Sequence, residues 1–420
     1  MKNSIKPALK IGKTEARRFI LSHQGLLPPR TLQGKAGIME FIHRVGCIQF
    51  DPVNVVERNP ELVLQARISD YSPELLDDLI YRDRALVDGF DKMAAIYPVE
   101  DWPAFSFRRQ QVQQAHQIRA DLEDEFMSKM IETVRNRGPL SSLDFEKTVR
   151  ITGYWGATMH IERFALERLL DLGKLIIHHR TGSRRYYDLA ERVLPPQVYS
   201  APDPFENLDG YLEWHVLRRI GGMGIANPGA GEYWGGIAGA KSQGRWDALH
   251  RLISQGRLLP IEIDDIPERT FFIRASDWQQ FIVENAQSPD PQSSKCILLG
   301  PLDNLLWNRD LIRWLFNFNY VWEVYKPVSI RSYGPYTLPI LLGDTFIGRV
   351  DLKFDRKNRT LILNNLWWEK EIRIDENIQT ALAACFKEFL RFLRADRIQL
   401  SDILKDNDSL SFLKAEDLKV

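Results

Sequence analysis

Metal sites and disulfide scaffolds need residues that this sequence largely lacks. Its 420 residues hold three cysteines, Cys47, Cys296 and Cys385. They are too scattered for the paired spacing of a zinc site and too few for a secreted disulfide framework, so buried thiols are expected. The eight histidines form no HExxH or other spaced ligand set. The adjacent His178 and His179 are expected on opposite faces of a strand. No metal and no cofactor is therefore expected. Also missing is any apolar run near the roughly 20 residues that a membrane-spanning helix needs. Met1 to Gly12 carries Lys2, Lys6 and Lys10 but no apolar stretch leading to a small-residue cleavage site. A cytoplasmic protein without membrane attachment is the expectation. Charge of one sign is lacking too: 56 basic residues balance 56 acidic ones, which speaks against a strongly basic coat for nucleic acid.

What is present is ordinary globular composition, 44% hydrophobic and 27% charged, in a chain long enough for two to four domains. The charge is unevenly spread. From Arg150 to Arg192 eight cations stand against five anions, an imbalance that a solvated helix face would also explain.

The most informative pattern recurs: an amphipathic helix ending in glycine, followed by two short strands joined by a polar turn. Its clearest copy starts at Met159. Ile161, Phe164, Leu166, Leu169, Leu170 and Leu172 recur at helical spacing and Gly173 ends the helix. Lys174 to His179 then reads as a strand, Arg180 to Arg184 as a turn and Arg185 to Leu189 as the returning strand. A further copy has Trp246, Leu249, Leu252 and Ile253 on the helix face, Gly256 as its end, and strands at Leu258 to Ile263 and Arg269 to Ile273. A less clean copy opens the chain, with helices at Thr14 to Ser22 and Gly37 to Val45, Gly46 at the end, and a strand at Ile48 to Asp51. Helices are expected ahead of the second and third copies, in RNRGPLSSLDFEKT and LDGYLEWHVLRRIGG. These are the features of winged-helix units, which place a helix in the major groove while wing and helix N-termini grip phosphate. The same fold also serves protein interaction.

A Ser, Pro and Asp-rich linker near Gln287 to Lys295 precedes a region of different character. There YVWEVYKPVSI, YTLPILLGDTFIGRVDLKFD and TLILNNLWWEKEIRI read as strands, with Gly343-Asp344 as a turn, and Asn377 to Leu393 reads as an amphipathic helix.

One segment can carry chemistry. In GCIQFDPVNVVERNPELVLQARISDY, Gln49 and Asp51 alternate onto one face of the expected strand, with Asn54, Glu57 and Arg58 close behind. A carboxylate can stabilise an oxocarbenium-like sugar and take a proton from water, while an amide holds that water, so the pair suits glycosidic hydrolysis without a metal or a nucleophilic lysine. Taken alone, Gln-x-Asp equally describes a turn-stabilising aspartate beside a surface glutamine.

Together with RNRGPLSSLDF, GKLIIHHRTGSRRYYDLAERVLP, GIANPGAGEYWGG and LLGPLDNLLWNRDLIRWLFNFNYVWEVYKPVSIRSYGPYTLPILLGDTFIGRVDLKFDRKN, this segment gives the chain a resemblance to the AlkZ/YcaQ family of bacterial winged-helix DNA glycosylases over nearly its whole length. The resemblance implies an α+β fold of three tandem winged helices and a C-terminal β-barrel-like domain in a C-shape. The implied modules are 1–130, carrying the catalytic strand, then 131–200 and 201–290, then 296–420 with the barrel and its helix. It implies excision of alkylated or cross-linked purines from double-stranded DNA by a monomer that is cytoplasmic and nucleoid-associated. The family pair is QxQ or QxD. Here it is the QxD form, with Asp51 as general base or electrostatic stabiliser and Gln49 positioning water. Asn54, Arg58, Arg67, Arg180, Arg184 and Arg185 are then expected to contact DNA. Where relatives carry Trp-x-His-Glu-Ala, this chain reads GFDKMAAIYP, so Lys92 replaces the histidine and is expected on a phosphate. The alternative, a non-catalytic winged-helix DNA-binding protein or transcription regulator, explains the repeated modules but gives no reason for an amide and a carboxylate on one strand edge.

Overall fold

A computed structural model describes residues 5–28, 30–116, 123–152, 158–239, 242–266, 269–285, 295–405 and 408–413. Apart from Lys295, the linker expected at Gln287 to Lys295 lies outside the described residues. The fold is mixed α+β. It divides into two compact units, one of Met1–Pro73, Leu217–Tyr233 and Leu249–Val420, the other of Glu74–Val216 and Trp234–Ala248. Each unit is therefore discontinuous in sequence. No described helix is long and apolar enough to cross a membrane.

In the first unit, helix Lys13–His23 buries Ala16, Phe19, Ile20 and His23, and helix Gly34–Val45 buries Ile38, Phe41, Ile42 and Val45. Both follow the i, i+3, i+4, i+7 spacing of one helix face. The second helix stops at Gly46, whose φ of 81° suits glycine and where a Cβ would lie 2.9 Å from Arg218 Cγ. Strands Leu258–Ile263 and Phe271–Arg274 pair antiparallel as expected. The N-terminal strand Leu9–Ile11, which sequence periodicity did not reveal, adds to them in parallel, with Leu9 opposite Ile261. Phe19, Ile20, Ile261, Phe271, Ile273, Leu311 and Phe318 share the core beneath.

The C-terminal strands run Cys296–Leu298, Thr337–Leu342, Thr345–Asp355, Thr360–Trp368 and Arg397–Leu400, neighbours in that order. All pair antiparallel except the last two, which are joined through helix Glu376–Leu393 and pair in parallel. Bulges between Ile340 and Leu341 and between Asp351 and Leu352 accompany its curl. The expected barrel is thus a curled half-barrel whose edges are the first and last strands. Asp375 caps the helix by accepting from Ile378 N at 2.8 Å, and Leu382, Phe386, Phe389 and Leu390 join the core of the sheet. Cys47, Cys296 and Cys385 are buried and unbridged.

In the second unit, helix Ile161–Asp171 ends before Gly173, φ 70°, and leads into the hairpin Leu175–Thr181 and Arg184–Leu189. Gly182, φ 62°, takes the first position of the two-residue turn, where only glycine fits easily. Leu166, Leu169, Leu175 and Tyr187 pack on Met130 and Val134 of helix Glu123–Arg137. Two expectations need correction here. The stretch RNRGPLSSLDFEKT is not helical beyond Arg137: Gly138 turns at φ 87°, and the Asp144 carboxylate takes Ser141 N and Oγ, each at 2.7 Å. His178 and His179 do not diverge either, because a bulge between Ile177 and His179 sets their Nδ1 atoms 2.9 Å apart.

Arg67 was expected on phosphate, but the structure buries it completely. Its guanidinium pairs with Asp303 through Nη1–Oδ2 and Nη2–Oδ1 contacts of 2.8 Å each, with no exposure of either side chain. Nε also donates to Gln24 O at 2.7 Å and Nη1 to Val63 O at 2.8 Å, while the group lies 4.7 Å from the Phe41 ring centre. A cation with every side occupied has nothing left for DNA. We expect Arg67→Met to lower stability by about 3–5 kcal/mol, because it strands a buried carboxylate. The double variant Arg67→Met/Asp303→Leu should recover much of that in urea unfolding. A single variant as stable as the parent would show that the pair carries no structural weight.

Candidate functional site

Strand Ile48–Gln49 follows Gly46 directly and ends before Asp51. The regular strand thus stops short of Asp51, and the chain bends at Pro52, which cannot donate to a ladder. Asp51 Oδ1 accepts from Val53 N at 2.8 Å, the local turn bond that aspartate favours. Gln49 is 7% exposed. Its carbonyl accepts from Asn59 Nδ2 at 2.8 Å, and Asn59 Oδ1 in turn accepts from Leu302 N at 3.0 Å. Cys47 O accepts from Asn304 Nδ2 at 2.9 Å. Residues 302–304, next to the Arg67–Asp303 pair, thus hold the backbone on which the candidate pair sits.

The loop after Asp51 lies on the half-barrel. Phe354 N donates to Val55 O at 3.0 Å, and Val56, fully buried, joins the sheet core with Leu62. Tyr336 donates its hydroxyl to Glu57 O at 3.0 Å. Arg356 reaches over the loop to Val56 O at 2.9 Å, to Glu57 Oε2 at 3.4 Å, and to Asn54 Oδ1. Asn54 is thereby exposed but engaged through its oxygen, leaving its amide NH₂ to solvent-side partners. Arg58 begins helix Asn59–Gln65 as its cap residue and is half-buried.

Burial pushes the Asp51 carboxyl above its ordinary range, while the Val53 N–H and the Tyr325 hydroxyl pull the other way. Tyr325 is a residue that sequence reasoning missed. It belongs to YVWEVYKPVSI, which was expected to be a strand. The structure instead shows an irregular segment from Tyr320, with a short helical turn at Val328–Ile330 after Pro327. The Tyr325 phenol, though its side chain is largely exposed, is itself raised by partial desolvation and by the neighbouring Asp51 charge. Tyr336 is raised as well, mainly by burial, with Asp51 and Glu57 adding to it. A carboxylate that is partly desolvated, its charged form still favoured by the Val53 N–H and the nearby Tyr325 hydroxyl, is a stronger base than a free aspartate. A cavity of about 410 Å³ lined by Phe316, Tyr333, Trp367 and Trp368 contains neither Gln49 nor Asp51.

The second unit sorts the remaining cations. Lys92, at the turn of the hairpin Leu86–Phe90 and Ala94–Pro98, is only 8% exposed. Its neighbour Asp91 lies 2.9 Å from His215 Nε2, and His215 Nδ1 lies 2.9 Å from the Tyr211 hydroxyl. Gly236 packs so closely that a Cβ would clash with Asp91 O. The expectation of Lys92 on a phosphate meets a side chain that this packing withdraws from the surface. Arg180 is likewise withdrawn, 4% exposed and paired to Asp88 with Nη2–Oδ1 at 2.8 Å. Burial alone would push the Asp88 carboxyl up, but Arg180 and the Tyr81 hydroxyl hold it below its usual range. Arg184 is exposed and Arg185 half-exposed beside the Gly182 turn, so these two remain available to a polyanion.

The class of protein is DNA glycosylase. A sequence-family model described as DNA glycosylase AlkZ-like matches residues 42–392, and the chain belongs to that family, whose members act in DNA repair. Its structure is also similar to the Streptomyces sahachiroi DNA glycosylase AlkZ, over 94% of this chain and 100% of that one, with a TM-score of 0.57 and 12% sequence identity. At that identity the similarity speaks to the fold.

Two outcomes are expected from this geometry. If ionised Asp51 is required, single-turnover excision should fall as pH drops through its raised pKa, above the usual aspartate range. Tyr325→Phe removes a bond that favours the charged form, so the acid limb should move to higher pH; a limb that stays put would separate Tyr325 from the reaction. For DNA affinity, Arg184→Ala with Arg185→Ala should flatten the dependence of log K on log salt by about 0.9 for each phosphate no longer neutralised. Arg180→Ala should instead lower thermal stability. An unchanged salt slope in the double variant would place DNA elsewhere.

Proposed function

We propose that this enzyme is a monofunctional glycosylase of the QxD form that hydrolyses the N-glycosidic bond of alkylated or cross-linked purines in double-stranded DNA. The observation that carries this reading is Asp51, a half-buried carboxyl two residues from Gln49 that accepts from Val53 N at 2.8 Å and is pushed up by burial, with the Tyr325 hydroxyl favouring its charged form. An N7-alkylated purine is already cationic, so it departs as a neutral base and needs no acid to protonate it. The work left for the protein is on the sugar. The C1′–N bond breaks, its electron pair leaves with the base, and C1′ becomes electron-poor. The Asp51 carboxylate stabilises that charge and takes a proton from the water that attacks C1′. Gln49 positions this water. The products are a free base and an abasic site, without a covalent enzyme intermediate.

The units whose helices end at Gly46, Gly173 and Gly256 are read as three winged-helix modules, within 1–130, 131–200 and 201–290, followed by the half-barrel region from 296. Arg58, Arg184, Arg185 and the free amide side of Asn54 are read as DNA contacts. The protein is taken to work as a cytoplasmic, nucleoid-associated monomer.

Asp51→Asn keeps the shape and removes the charge. It should slow single-turnover excision of N7-alkylguanine from duplex by roughly 10²-fold or more, with duplex affinity nearly unchanged. Gln49→Ala should slow it less, since holding water is worth less than activating it. Parent-like excision by Asp51→Asn, at retained DNA binding, would remove the carboxylate from the mechanism. A parent protein inert on every N7 and N3 adduct would favour a DNA-binding regulator.

A further inference from the structure

Among the described residues, the four most exposed large apolar side chains include Tyr325, Val328 and Ile330, at 74%, 78% and 61%. All three lie within six residues of chain, on the segment whose Tyr325 hydroxyl interacts with the Asp51 carboxylate. Isolated exposed apolar residues are commonplace, but a cluster beside a reacting group calls for an explanation.

The segment is built to be stiff. Glu323, 1% exposed, accepts from Ser332 N at 3.1 Å, Tyr333 N at 2.8 Å and Lys326 Nζ at 3.0 Å. Arg331 closes the base of the loop by donating from Nε to Lys326 O at 2.9 Å and from Nη2 to Val324 O at 3.3 Å. Pro327 fixes one backbone angle, and Ile330 N returns to Pro327 O at 3.2 Å. The Trp322 ring packs against both Tyr325 and Tyr336, with centres 5.4 and 6.4 Å apart. A buried carboxylate, an arginine clasp and a proline thus hold three apolar side chains out in water. That arrangement adds nothing to the core. It does remove the ordering cost of inserting those side chains into a partner.

We propose that the loop Tyr325–Arg331 is the DNA wedge of this enzyme, entering between base steps next to the lesion with Val328 and Ile330 while Tyr325 keeps the Asp51 carboxylate aimed at the sugar. The occupant is duplex DNA, the substrate of the family. Apolar side chains are what unstack a base step, and the unstacking exposes the C1′ position to the half-buried Asp51 carboxylate. The wedge rests on the reading of Asp51 as the reacting carboxylate, and Tyr325 acts through that group as a positioning residue.

The test uses duplex carrying 2-aminopurine next to an N7-alkylguanine, with Asp51→Asn as the background so that the lesion persists. Binding should raise the 2-aminopurine fluorescence as the step unstacks, and adding Val328→Ser and Ile330→Ser should abolish the rise. In the otherwise parental enzyme the same pair of changes should slow duplex excision about tenfold or more, yet leave excision from a single-stranded oligonucleotide unchanged. Both side chains are exposed, so folding should be retained, as circular dichroism would verify. A fluorescence rise that survives the double change, or rates that fall equally on single and double strands, would overturn the wedge. If the parental enzyme excises nothing, the hydrolytic reading fails, but the fluorescence comparison still decides the wedge.

Discussion

The fully buried ion pair between Arg67 and Asp303 is the constraint around which the first unit is organised. Neither charge is tolerable in the interior without the other, and each is further satisfied by backbone groups: Gln24 and Val63 carbonyls for Arg67, and Leu305 N for Asp303. Two stretches more than two hundred residues apart in sequence therefore have one way to meet. Once they do, Asn304 lies on the Cys47 carbonyl, while Leu302 and the Gln49 carbonyl share Asn59. The backbone of the segment that carries Gln49 is held by residues flanking those buried charges.

Asp51 shows how that scaffold shapes chemistry. Full burial would leave the carboxyl neutral, and full exposure would leave it a weak base. The turn bond from Val53 and the Tyr325 hydroxyl keep the charged form accessible while desolvation raises its basicity. Both partners arise from the loop's setting, one from its own backbone and one from the segment that follows Tyr320. Asp51 thus stabilises a turn, as Gln-x-Asp allows, and the same carboxylate is the one proposed to react.

Much of the architecture was legible because it follows periodic rules. The helix faces at Ala16–His23 and Ile38–Val45, the hairpin turning at Gly182, and the Gly343 turn between two long strands all come from local spacing. The parallel pairing of Leu9–Ile11 did not, since a three-residue strand has no period of its own. Residue type alone also misassigned several arginines. Arg67, Arg180, Arg184 and Arg185 look alike in sequence, and only the buried carboxylates Asp303 and Asp88 decide which two are withdrawn. Gln49 and Asp51 were singled out by their chemistry together with the family resemblance, whereas Tyr325 and Arg356 were hidden because their interactions with the loop span some three hundred residues of chain or nearly so.

The central claim is that Asp51 stabilises a positive sugar. Duplex in which a cationic pyrrolidine replaces the lesion nucleotide imitates that sugar, and a neutral tetrahydrofuran gives the same shape without the charge. The account predicts that the parent enzyme binds the cationic duplex more tightly than the neutral one, as expected for a transition-state mimic, and that Asp51→Asn binds both alike. Equal affinities in the parent, or a cation preference that persists in Asp51→Asn, would contradict it.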